Sequence, residues 1–187
     1  AFDQLSRLRS AGSREQLSYL IFTRKLPHVL GRQHELETRS KFYDLFRYRV
    51  IALPVHNEDD SYQMLKHLNG VAGYPLQDSE LKTIYELTGG HARLIKIAFE
   101  IWMHERPSVN DYPTYFARQP EIQDECHRIL RGLHRQERDV AIRSARGQTR
   151  LSDEPTIDHL HRRGLLKTGG QWFAPFMKTY LRDYFVE

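Results

Sequence analysis

Leu87-Thr-Gly-Gly-His-Ala-Arg-Leu94 closes one helical pattern with two glycines and opens another with an arginine in its first turn. Glycine just past a helix end takes the left-handed turn that stops it. Backbone N–H groups and the helix dipole favour an anion at the start of the next helix. An arginine there, Arg93, can reach the same anion. Yet the usual companion of such an element, a G-x-x-x-x-G-K-[ST] phosphate loop, occurs nowhere in the chain. The stretch therefore reads as the second half of a phosphate-responsive device.

Upstream of it, Leu17–Thr23 is rich in aromatic and branched residues and predicts a buried strand. Phe2, Leu5 and Leu8 share one face of a short helix before it. Tyr48–Pro54 predicts a second strand, ended by proline. The aromatic segment Phe42, Tyr43, Leu45 and Phe46 lies between the strands and is expected to pack. A crossover of helical character between two strands favours a parallel pair. Two parallel strands do not form a stable sheet alone. Further strands are expected beside them, from a preceding segment or another chain.

The remainder is helical in pattern. Asn57 is expected to cap a helix running to about Leu68, with Asp60 three residues on. Leu81, Ile84, Tyr85 and Leu87 line a second helix; Leu94, Ile97, Ala98, Ile101 and Trp102 line a third. Pro113 and Pro120 suggest a linker and a domain boundary near residue 120. Three further helices are predicted over 122–133, 136–145 and 156–163. A hairpin over 164–174, turning at Thr168-Gly-Gly170, and a last amphipathic helix over 176–185 follow. Three helices and a two-stranded wing define a winged helix. The expected class is mainly α with a few strands. It divides into a two-stranded α/β remnant (1–56), a helical lid (57–118) and a winged-helix domain (119–187).

In this order, these elements resemble the C-terminal half of a STAND-type ATPase, a signalling relative of the AAA+ ATPases. The resemblance rests on Thr23-Arg24 at a strand end, Phe42-Tyr-Asp-Leu-Phe46, the Leu53-Pro54 strand end, Leu87-Thr-Gly-Gly-His91 and the winged helix. It implies that Thr23 and Arg24 read the terminal phosphate as sensor 1, and that Arg93 serves as sensor 2. It also implies that Gly90 and His91 lie beside the nucleotide. Ala92 stands where the family has a proline against adenine. Implied with it are ATP or ADP with Mg²⁺ in an intact protein and a partner half carrying the phosphate loop. This chain alone is expected to bind no nucleotide and to be inactive as an ATPase.

The alternative reading is a winged-helix DNA-binding regulator contacting phosphates through His159, Arg162, Arg163 and Lys167. Asp153, Glu154 and Asp158 flank those cations and oppose it. A protein-interaction module, including a homo-oligomer, is a third arrangement.

Composition is compatible with these readings. The 187 residues are 40% hydrophobic and 28% charged, with a formal charge of +4 and one cysteine, Cys126. A single cysteine forms no internal disulfide and fits a reducing, cytoplasmic compartment. Cys126 itself reads as a small buried residue. No apolar run approaches the roughly 20 residues a membrane helix needs. No histidine pair has the spacing of a helical zinc site, so no metal is expected. Ala1 in place of Met points to processing or truncation before this start.

Overall fold

The computed structural model describes residues 55–185. Eight α-helices are defined there: α1 (Glu58–Val71), α2 (Asp78–Thr88), α3 (Ala92–Glu105), α4 (Tyr112–Ala117), α5 (Pro120–Arg131), α6 (Arg135–Ala145), α7 (Glu154–Arg162) and α8 (Pro175–Asp183). The described residues are thus mainly helical. The two expected strands, the aromatic segment 42–46, Thr23 and Arg24 lie outside them.

α1 begins as its sequence dictates. The Asn57 Oδ1 accepts the Asp60 N–H at 2.8 Å, and Glu58, Asp59 and Asp60 fill the first turn, where carboxylates suit the helix dipole. Asn69, buried near its end, explains the following turn. Its amide donates to the Leu76 carbonyl at 2.9 Å and accepts the Leu76 N–H at 3.0 Å. Both polar atoms are satisfied, so burial of Asn69 stabilises the α1–α2 connection. α2 opens with the Gln77 N–H donating to the Glu80 carboxylate at 2.7 Å. The other Glu80 oxygen takes the Trp102 indole N–H at 2.9 Å, tying α2 to α3.

The proline-containing stretch before residue 120 is not a linker. Pro113 and Pro120 sit in the first turns of α4 and α5, where a missing N–H costs no helix bond. Asp111 caps α4 through Thr114 N–H at 3.0 Å. Phe116 is fully buried. Its ring stacks on Trp102 of α3 at 5.8 Å and meets Phe176 of α8 at 6.4 Å. The boundary expected near residue 120 falls inside one compact unit that contains all the described residues.

After α7 the chain doubles back. Leu166 and Trp172 form an antiparallel bridge, flanked by Lys167 N–H to Gln171 O at 2.6 Å and Phe173 N–H to Leu165 O at 3.1 Å. Gly169 and Gly170 both take positive φ in the turn between them. The expected hairpin is thus reduced to one bridge, the only sheet-type pairing among the described residues. Phe173, Phe176, Met177 and Leu181 then pack into the core, α8 lying mainly on α4.

Candidate functional site

The start of α3 is where three separate backbone segments meet. Gly89 caps α2 in the left-handed conformation, its N–H donating to Tyr85 O at 2.8 Å. A β-carbon on Gly89 would stand 1.8 Å from the Phe173 carbonyl oxygen, and one on Gly90 2.2 Å from that of His56. The Gly90 carbonyl accepts the His56 N–H at 3.0 Å. The glycine pair therefore does more than end a helix. It lets residues 56 and 173 approach the entry to α3.

His91 is the N-cap of α3. Its Nδ1 accepts the Leu94 N–H over a long 3.4 Å, and its ring lies 6.0 Å from that of Phe173. Accepting through Nδ1 requires a deprotonated nitrogen there. Burial agrees, pushing the His91 imidazole below its ordinary pKa against the opposing pull of the Glu125 carboxylate. His91 is thus a neutral cap.

Arg93 projects from the first turn of α3, its side chain 63% exposed. Its Nε lies 2.9 Å from Oε2 of Glu125, whose side chain is only 2% exposed. Arg128 grips the same carboxylate, with Nε donating to Oε2 at 2.7 Å. One buried carboxylate on α5 thus binds one arginine from α3 and one from its own helix. Burying the charge is tolerable only because two guanidinium groups compensate it. Chemically, Arg93 and Arg128 present a paired cation beside a helix N-terminus, with a resident carboxylate as their present anion.

A second acidic centre governs the other candidates. Glu137 of α6 is buried. Its Oε2 accepts the His134 N–H at 2.7 Å and lies 2.9 Å from Arg163 Nη1. Its Oε1 lies 3.0 Å from His159 Nδ1. Of the four residues named for DNA contact, His159 and Arg163 are therefore turned to a protein carboxylate. Arg162 and Lys167 are exposed. His159, Arg162 and Arg163 are spaced i, i+3 and i+4 on α7 and its C-cap, so they lie on one side of that helix. Asp153, a third buried acid, is gripped by Arg143 at 2.6 and 3.1 Å. The Arg143 guanidinium holds its carboxyl below the usual range.

Sequence reasoning missed Glu125 and Glu137, although a signal was present. Each lies on its helix's apolar stripe: Glu125 with Ile122 and Cys126, Glu137 with Val140 and Ala141. A carboxylate in such a stripe must be buried and therefore paired. Cys126 is fully buried, which pushes its thiol up and leaves it un-ionised at neutral pH. No group of three potential metal-ligating side chains occurs among the described residues. No described helix is long and apolar enough to cross a membrane.

No protein family matches the chain, and no curated protein or solved structure matches it either.

Proposed function

We propose that residues 55–185 are the helical lid and winged-helix portion of a STAND-type nucleotide switch whose phosphate loop lies on a preceding segment. The observation that carries this reading is the Arg93–Glu125 contact. It joins the first turn of α3, where an anion is favoured, to α5, the first helix of the expected winged helix. The order α5, α6, α7, antiparallel bridge and α8 also supports the reading.

The paired cations of Arg93 and Arg128 fit a phosphate group. Arg93 and the first-turn N–H groups of α3 would hold the terminal phosphates of ATP or ADP. The bound nucleotide, with Mg²⁺, would supply the charge that the switch reads. A phosphate arriving there must compete with Glu125 for Arg93. Exchange of partners would then alter the α3–α5 contact, giving the two states different nucleotide affinities, as any switch requires. The aromatic chain Trp102–Phe116–Phe176 joins lid and winged helix, so we assign no hinge to residue 120. The present chain contributes sensing and no hydrolysis of its own.

DNA contact through α7 ranks second because His159 and Arg163 already serve Glu137.

The test is Arg93→Ala in the protein together with its phosphate-loop half. The nucleotide-dependent conformational change should weaken at least tenfold in its ligand dependence, about 1.4 kcal/mol. Unchanged ATP affinity and unchanged nucleotide response would remove Arg93 from the mechanism.

A further inference from the structure

Arginines are distributed unevenly along this chain. Seven fall between residues 126 and 150, with no lysine and only two carboxylates, Glu137 and Asp139. Glu137 is buried and occupied by Arg163 and His159. Asp139 alone of the two remains partly exposed. Arg131, Arg135, Arg146 and Arg150 are exposed. Among the described residues, none of these four forms a side-chain ion pair.

Helix geometry aligns much of this charge. Arg135, Asp139 and Arg143 on α6 and Arg146 at its C-cap follow one another at steps of four, four and three, so they share a face. Arg135 and Arg146 stand about 16 Å apart along the axis at 1.5 Å per residue. The Arg150 N–H donates to Asp153 at 3.0 Å, the carboxylate that Arg143 also grips. That shared acid fixes Arg150 beside the C-terminal end of α6.

A small anion would need these cations to converge on one point. They are instead strung along a helix and its following loop, which suits an extended polyanion. Arginine forks match phosphate oxygens in pairs, where lysine offers a point charge. A membrane surface would call for apolar side chains beside the cations. Gln136, Gln148 and Thr149 are the exposed neighbours instead. Leu151, 92% exposed, is the one large apolar residue beside the stripe among the exposed hydrophobics. We infer that α6 and the loop to Leu151 form a contact surface for the phosphodiester backbone of a nucleic-acid duplex. This surface is distinct from the α7 face and does not depend on the nucleotide-switch reading. Asp139 lies within the stripe and weakens it by one charge.

The experiment titrates the full chain into a labelled DNA duplex of about 20 base pairs, at several salt concentrations, since phosphate neutralisation releases counterions. RNA duplex and phosphatidylserine vesicles serve as parallel probes. Binding should fall steeply with salt. Arg135→Glu with Arg146→Glu should weaken it at least tenfold at low salt. The same pair should flatten the logarithmic salt slope by about 2, roughly one for each phosphate that no longer meets an arginine. Both positions are exposed, so the melting temperature of the double variant reports whether it remains folded. Arg162→Glu with Lys167→Glu should change affinity less than threefold. A matched loss with RNA would support the same backbone chemistry. Absence of duplex binding by the unaltered chain would overturn the inference, as would an unaffected folded double variant. Loss caused by the α7 pair instead, or stronger capture by vesicles than by either duplex, would also overturn it.

Discussion

At Gly90 a β-carbon would stand 2.2 Å from the His56 carbonyl oxygen, and φ is +83°. Both facts exclude a side chain. Gly147 has φ +69° but open space around it. Gly90→Ala should therefore cost at least about 2 kcal/mol, while Gly147→Ala should cost about 1 kcal/mol of left-handed strain. Chemical unfolding of the two variants measures the difference; equal losses would mean that the close approach is not a constraint. His91 gives a pH prediction at the same scale. Its folded pKa is lowered by burial, while the unfolded residue titrates near about 6.5. Below that pH the unfolded chain takes up a proton that the folded chain resists. Stability should thus rise from about pH 5 to about pH 7, and this contribution should be lost as pH falls. His91→Asn keeps a capping side chain and should flatten that slope. An identical slope in the variant would show that His91 is not its source. Asp111, Asp153 and Asp183 have carboxyls held below the usual range, so they titrate in a separate, more acidic window.

Element by element, the helices are legible in the sequence because their stripes recur at helical spacing and their caps are local. Asn57 and the Gly89 turn both belong to this class. The segment around Pro113 reads as a linker because proline marks a loop and a first helical turn equally well. Only the capping Asp111 and the buried Phe116 distinguish them. The partners of Arg93, His159 and Arg163 are not legible. Each ion pair joins different helices, with 26 residues separating Arg163 from Glu137 and 32 separating Arg93 from Glu125. Periodicity places a carboxylate on a stripe but does not say which arginine crosses to it. Phe116 tests the reassigned element. It is fully buried between Trp102 and Phe176, so Phe116→Ala should cost about 3–5 kcal/mol. Denaturant titration would contradict the packing if the loss were under about 1 kcal/mol.

For the molecule as a whole, the question is whether the expected lid and winged helix respond separately. Residues 55–185 belong to one compact unit, and α3, α4 and α8 share an aromatic core. The chain has two tryptophans, one on each side of residue 120. Trp102 lies in α3, and Trp172 in the antiparallel bridge beyond α7. Single-tryptophan variants, Trp172→Phe and Trp102→Phe, should each show one unfolding transition. After correction for the substitutions' stability costs, the midpoints should coincide. Well-separated midpoints would show two independent domains. The nucleotide-switch reading itself asks for parts that these residues do not contain: a phosphate loop and an acidic strand. The most direct measurement is therefore the coding sequence immediately before Ala1. The account predicts a G-x-x-x-x-G-K-[ST] loop and an acidic strand within about 150 residues, one typical domain length. An unrelated sequence or a stop codon in that interval would contradict the proposed single-chain switch and leave the α6 arginine surface as the feature to pursue.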